Sequence, residues 1–143
     1  MDYIAIAFAG FIILELSNVC VMYFFNETTI ANSVGVFKTF VDQEDKAAKD
    51  FMTYLIYWVA GTKAIFISLL VVIIFFGDQT IKQVSVIVLT ASIGLFYVKM
   101  LPLLKEIEQE NGIITKNYAR NLSIIIAVFM LVFIASFIMS VAF

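Results

Sequence analysis

The sequence predicts an all-α membrane protein with four transmembrane helices in an up-down bundle. Its last segment, residues 122–143, is an uninterrupted apolar run without a charged side chain. About 20 such residues cross the ~30 Å hydrocarbon core of a bilayer as an α-helix. The whole chain agrees, with 63% hydrophobic residues, 14% charged residues and a mean hydropathy of +1.04, whereas about a quarter of the residues in a soluble domain are charged.

Three further apolar runs precede this segment. We place the four spans at residues 3–25, 51–76, 80–101 and 121–143, joined by loops at 26–50 and 102–120 and by a turn near Gly77 and Asp78. The runs are continuous rather than alternating, which indicates helices and not barrel strands. A chain of 143 residues is expected to form a single transmembrane domain, residues 1–143.

Short helical extensions are expected in both loops. Residues 43–50 predict a helical lead into the second span. Residues 103–111 predict a continuation of the third span until Gly112, with a kink at Pro102. In the first loop four apolar residues recur at helical spacing, which predicts either a short interfacial helix or a partly ordered loop; these are Val34, Phe37, Phe40 and Val41.

The basic residues predict the orientation of the spans. Three lie between the first and second spans and four lie around the link from the third to the fourth, whereas the opposite side has only Lys82. Under the positive-inside rule this asymmetry places both loops in the cytoplasm and both termini outside. We expect an integral protein of a bacterial or archaeal inner or plasma membrane. The residues counted are Lys38, Lys46, Lys49, Lys99, Lys105, Lys116 and Arg120.

The composition argues against most enzymatic chemistry. There is no histidine, and Cys20 is the only cysteine, so the commonest metal ligands and the usual general base are missing. The sequence has no phosphate-binding glycine loop, zinc protease motif or nucleophile elbow, and no basic block that could follow phosphates. We therefore expect no catalytic residue, no cofactor, no metal site and no nucleic-acid partner.

Two ionisable residues, Glu15 and Lys63, are predicted to lie deep in the membrane. At a rise of about 1.5 Å per residue both are ~15–18 Å from the cytoplasmic ends of their spans. A lone charge at this depth costs about 2.5–3.5 kcal/mol, so such residues usually pair or line a cavity. Because their spans are joined by one loop, we expect a contact between the two side chains in which each supplies the opposite charge.

The sequence leaves the role of this pair open. The pair could be a gate or coupling site in an ion, proton or solute pathway, or a structural clip between two helices. Each group could instead dock onto another subunit, and a lysine at this depth could in principle hold a chromophore as a Schiff base. A lipid-modifying enzyme is less favoured, because acid–base chemistry on lipids is usually done near the head groups.

Further polar residues could extend this pair into a polar face. Asn18 lies three residues beyond Glu15 and therefore on the same side of its helix. In the third span and its extension Ser85, Ser92, Lys99 and Glu106 recur at intervals of seven, which forms one stripe in a left-handed bundle. This stripe could line a hydrophilic route. Alternatively, the serines bond to their own helix and Lys99 extends to the membrane surface.

These features favour a non-enzymatic membrane protein that serves as a subunit or assembly factor of a larger or homo-oligomeric complex. The alternative is a small oligomeric transporter or channel gated by the Glu15–Lys63 pair. A transport route needs polar residues that reach both membrane surfaces, whereas residues 4–11 and 66–76 are almost wholly apolar. The expected partners are therefore the lipid bilayer and either further copies of this chain or other membrane subunits.

Overall fold

The computed structural model describes residues 2–30 and 34–142. Within these residues the secondary structure is helical, and the only β pairing is one isolated bridge between Phe37 and Ile113. The prediction of an all-α fold is thus confirmed. Four helices are long and apolar enough to cross a membrane: Tyr3–Phe24, Lys46–Phe76, Gln79–Gln109 and Tyr118–Ala142.

The first two long helices begin at aspartate caps. Helix α1 (Tyr3–Phe24) is preceded by Asp2, whose carboxylate accepts a hydrogen bond from the Ala5 N–H at 3.0 Å. Helix α3 (Lys46–Phe76) is capped in the same way by Asp45, which accepts from the Ala47 N–H at 2.9 Å. The helical lead predicted at residues 43–50 is present from Lys46 onward, whereas residues 43–45 precede the helix and Asp45 is its cap.

The turn after α3 ends one helix and starts the next within two residues. Gly77 donates its N–H to the Ile73 carbonyl at 3.0 Å, and a Cβ added at Gly77 would lie 2.5 Å from that carbonyl oxygen. Only glycine fits this close approach. Asp78 then caps α4 (Gln79–Gly94) by accepting the Ile81 N–H at 2.8 Å, so the predicted tight turn is found at these residues.

The third span is irregular just before Pro102 rather than at the proline itself. Helix α4 passes into a π-helical segment (Phe96–Met100) and then into α5 (Leu101–Gln109). The Leu101 N–H bonds to the Phe96 carbonyl, five residues back. Pro102 has no N–H, so it cannot donate the α-helical hydrogen bond to the carbonyl four residues back. In the π segment just before it, the backbone hydrogen bonds span five residues instead of four.

Helix α5 ends earlier than the sequence predicts. Its last residue is Gln109, and Asn111 rather than Gly112 adopts the left-handed conformation, with φ 58°. The Gly112 N–H bonds to the Ile107 carbonyl at 2.9 Å, and the Asn111 N–H bonds to the Glu108 carbonyl at 3.2 Å. This is a Schellman ending, in which asparagine can replace glycine at the left-handed position.

The first loop contains two short helices instead of one interfacial helix. A 3₁₀ turn (Val34–Val36) is followed by α2 (Lys38–Val41). Val36 and Phe40 are almost completely buried against other parts of the chain. These apolar residues therefore pack against the bundle, whereas Val41 alone of the predicted apolar set is exposed.

The packing of the long helices centres on the first and the last of them. Helix α1 packs mainly against α3 and against α6 (Tyr118–Ala142), and α4 packs mainly against α6. Contacts between α3 and α4 are few, and neither the π segment nor α5 packs closely on α3. The bundle is therefore loosely closed on the side between α3 and the third span.

Side-chain contacts define two ends of the bundle. At the terminus end, Lys82 Nζ lies 2.6 Å from Asp2 Oδ2, and Gln83 Nε2 lies 3.3 Å from Ser140 Oγ. Burial, the largest single effect, raises the pKa of the Asp2 carboxyl, but the hydrogen bonds from Lys82 and from the Ala5 N–H and the positive charge of Lys82 together lower that pKa below its ordinary 3.8. The opposite end, called the loop end, carries both long loops.

Candidate functional site

The charged residues of the first two spans meet inside the bundle. Lys63 Nζ lies 2.8 Å from Glu15 Oε2 and donates a hydrogen bond to it. The Lys63 side chain is 26% exposed and the Glu15 side chain 16% exposed, so the surrounding helices cover most of both. A charge-assisted bond of this length, formed away from water, is stronger than an equivalent pair on a protein surface.

The packing of α1 on α3 fixes the position of this pair. Ala60, three residues before Lys63, is completely buried and lets the two helices approach closely. Nearer the loop end the rings of Tyr23 and Tyr57 stack with centroids 5.5 Å apart. These contacts set the register of the two helices, which brings Glu15 and Lys63 to the same level.

Asn18 lies one turn from Glu15 but has a different environment. It is only 5% exposed, and within residues 2–30 and 34–142 its Oδ1 has no hydrogen-bond donor. An unpaired buried carbonyl oxygen costs about 1–3 kcal/mol. Asn18 is not a wall residue of the cavity around the charge pair, so its predicted place in a polar lining is not evident in the structure.

The pair lines a cavity of about 430 Å³. Helices α1, α3, α4 and α6 and the π segment all contribute to its wall. Two residues of the predicted stripe, Ser92 and Lys99, line the same cavity as Glu15 and Lys63. The remaining wall is apolar and includes Phe11, Leu14, Ile93, Phe96, Leu122, Ile125, Ile126 and Phe129.

A second cavity adjoins the first toward the loop end. Its volume is about 380 Å³, and it shares five wall residues with the first, namely Lys63, Phe96, Met100, Leu122 and Ile126. The rest of its wall comes from the loop-end parts of the helices and from Phe37. Together the two form one elongated space, called here the charged cleft, with Lys63 near its middle.

Ser85 lies outside the charged cleft. It lines a separate space of about 280 Å³ between α3 and α4, together with Ser92. The predicted polar face is therefore divided between two spaces. Ser92 borders both, and Lys99 belongs only to the first of them.

The charged cleft is closed toward the terminus end by an aromatic plug. Phe11 packs edge-to-face on Phe66, Phe129 and Phe133, with ring centroids 5.3–6.2 Å apart. Phe8 adds a further edge-to-face contact to Phe133 at 6.1 Å. The predicted apolar halves of the first two spans thus pack into a layer that contains no charged side chain among its buried residues.

At the loop end the cleft is covered by a loop cap. The Lys38 N–H bonds to the Gly112 carbonyl at 2.9 Å, and the Ile114 N–H bonds to the Val36 carbonyl at 2.8 Å. These bonds join the first loop to the second, above an apolar cluster of Val36, Leu104, Ile113 and Ala119. The loop end is therefore held shut by backbone pairing and apolar packing.

The side of the cleft between α3 and the third span is open. Its rim consists of apolar residues that are exposed to the surroundings of the protein: Val59, Leu95, Met100 and Leu103. In a membrane these side chains face the lipid. The charged cleft is thus closed along the bundle axis and open sideways.

The charges of the cleft do not cancel. Its wall carries two lysines, Lys63 and Lys99, and one carboxylate, Glu15. Lys99 is exposed, which agrees with the alternative that it extends to the membrane surface, and it forms no ion pair with any residue that the structure describes. The wall of the site is therefore apolar, with an excess of one positive charge.

Sequence reasoning missed both the loop cap and the π segment. Pro102 signalled an irregular helix but not its type or position. The bond between Tyr97 Oη and the Ser123 carbonyl, 2.6 Å long, ties the π segment to α6 and has no signature in the sequence. Comparison of the chain with known protein families, with curated proteins and with solved structures finds no match.

Proposed function

We propose that this chain is a non-enzymatic integral membrane protein that acts as a subunit or assembly factor of a larger or homo-oligomeric membrane complex. The observation that carries the proposal is a groove of about 330 Å³ between α1 and α6. Its floor contains the small residues Ala7, Gly10, Ala135 and Ser136. Small residues let another transmembrane helix approach closely, which is how helices associate where lipid removes the hydrophobic driving force.

The space at Gly10 supports this proposal. A Cβ added there would have no atom within 4 Å, so no part of the chain itself fills the groove at this point. Helix α6 is also sparsely covered by the rest of the chain. Only 11% of the residues in its apolar 18-residue stretch are buried, against 33% for α1. A helix from a second copy or another subunit would bury this face.

The closed ends of the charged cleft also favour a subunit role over transport. The aromatic plug separates Glu15 and Lys63 from the terminus end, and the loop cap separates them from the loop end. A single copy of the chain then offers no continuous polar route across the membrane.

We further propose an up-down bundle with both termini outside and both loops in the cytoplasm of a bacterial or archaeal inner or plasma membrane. The contacts of Asp2 with Lys82 and of Gln83 with Ser140 support the grouping of the termini with the α3–α4 turn. The seven-to-one distribution of basic residues supports the orientation.

This orientation predicts an all-or-none labelling pattern. In a Cys20→Ser background, cysteines at Lys46 and Gln109 should resist an impermeant thiol reagent applied to intact cells, because both positions would face the cytoplasm. A cysteine at Gln79 should react, since it lies at the opposite end. All three positions are exposed, so permeabilised cells should label at each. Labelling of Lys46→Cys but not Gln79→Cys in intact cells would reverse the proposed orientation.

A second candidate function is a small oligomeric transporter or channel for ions, protons or a small solute. The observation in its favour is the convergence of Glu15, Lys63, Ser92 and Lys99 on one cavity. In this case the ion pair would act as the gate, and its separation would accompany a change of state. Selective flux through liposomes that contain only this chain would favour transport over the subunit role.

A further inference from the structure

The open side of the charged cleft determines how a ligand could reach it. The aromatic plug and the loop cap block both ends, while the exposed rim formed by Val59, Leu95, Met100 and Leu103 faces lipid. A ligand would therefore move in from the bilayer rather than from water. This route requires a molecule that is itself dissolved in the membrane.

The wall of the cleft determines the chemistry of the ligand. Its apolar residues suit a hydrocarbon chain, and the two adjoining cavities give that chain an elongated space. Lys99, which is exposed, offers a positive charge that no described acid neutralises. Ser92, also exposed, offers a hydroxyl in the same cavity. An anionic head group would balance the excess charge, whereas a cationic one would add to it.

We propose that the charged cleft binds an anionic acyl-chain lipid that enters sideways from the bilayer. Its head group pairs with Lys99 beside Ser92 and the Glu15–Lys63 pair, and its chain lies along Phe96, Leu122 and Ile126. The π segment supplies both Lys99 for the head group and Phe96 for the chain, and π turns of this kind occur frequently at functional sites. This binding needs no partner subunit, so its failure would leave the proposed subunit role untouched.

The single tryptophan provides a direct assay. Trp58 is the only tryptophan in the chain and lies five residues before Lys63 on α3, a rise of about 7.5 Å. Wild-type protein in nanodiscs of phosphatidylcholine is titrated with dansylamino-undecanoate, and energy transfer from Trp58 to the dansyl group is followed. We expect a saturable signal above the linear background of a Trp58→Phe control. The neutral methyl ester of the same probe should give only the linear background.

Matched lysine variants test where the head group binds. Lys99→Gln should weaken the saturable binding about tenfold or more, since a hydrogen bond to a charged group is lost. Lys105 on α5 is exposed like Lys99 but does not line the cleft, so Lys105→Gln should leave the binding unchanged. Equal saturable binding of the acid and the ester, an unchanged affinity in Lys99→Gln, or purely linear partitioning in wild type would each overturn the proposal.

Competition identifies the source of the ligand. Displacement of the probe by oleate, but not by phosphatidylglycerol placed in the nanodisc, would identify a free fatty carboxylate as the ligand. Displacement by phosphatidylglycerol would identify the head group of a phospholipid. Saturable binding that neither lipid displaces would contradict the proposed ligand class.

Discussion

Glu15→Gln or Lys63→Met alone should destabilise the folded protein by about 3–5 kcal/mol. Either change leaves one charge inside the bundle without its partner, 2.8 Å away in the wild type. The double variant should regain most of this loss, because neither charge then has to be accommodated. The measurement is the free energy of unfolding in mixed micelles at increasing fractions of a denaturing detergent, arranged as a double-mutant cycle.

The chain provides a matched control for this cycle. Lys49 and Glu27 form a second ion pair with a distance of 3.0 Å, but their side chains are 38% and 65% exposed. Glu27→Gln and Lys49→Met should each cost about 1 kcal/mol or less, as expected for a surface pair. If the two losses of stability at Glu15 and Lys63 simply add in the double variant, the two side chains do not stabilise each other. The proposed coupling between them is then wrong.

Phe133→Ala should destabilise the bundle by about 3–5 kcal/mol, the usual cost of removing a buried aromatic ring. Phe133 is completely buried and contacts the rings of Phe8, Phe11 and Phe129. Its loss would leave a cavity in the aromatic plug, where three helices meet. Unfolding in the same mixed micelles measures this effect.

The neighbouring residue provides the control for the plug. Ile134 is 46% exposed, so Ile134→Ala removes side-chain atoms that face lipid in both the folded and unfolded states. Its cost should stay well below that of Phe133→Ala. Equal losses for the two variants would show that the plug is not a packed layer.

The charge pair could be predicted because the depth of each charged residue depends only on its position within its own span. The depth of Glu15 and Lys63 follows from counting residues along two apolar runs, and the cost of an isolated charge in lipid then requires a partner. The number of spans follows from the same counting. The sequence also predicts the helical lead into the second span, but it places the start at residue 43, three residues too early. The acids that precede the helix have the pattern of a first helical turn, whereas Asp45 is the cap.

The charged cleft could not be predicted, because it depends on packing between distant parts of the chain. The bonds that close the loop cap join Val36 to Ile114 and Lys38 to Gly112, and no local pattern specifies this pairing. The seven-residue spacing of Ser85, Ser92 and Lys99 suggested one continuous polar face. The structure divides that face because α4 borders α3 at Ser85, whereas Lys99 lies in the π segment, which does not pack closely on α3.

The native mass of the particle in mild detergent tests the proposed subunit role most directly. We expect wild-type protein to run as a defined complex, either of several 16.1 kDa chains or with other membrane subunits. Gly10→Leu should break that complex down to the folded monomer, because a Cβ at this position meets no atom within 4 Å and the side chain beyond it would occupy the groove. Val72→Leu, at an exposed position of α3, should leave the complex intact. A wild-type particle that is a uniform, stable monomer would contradict the subunit role.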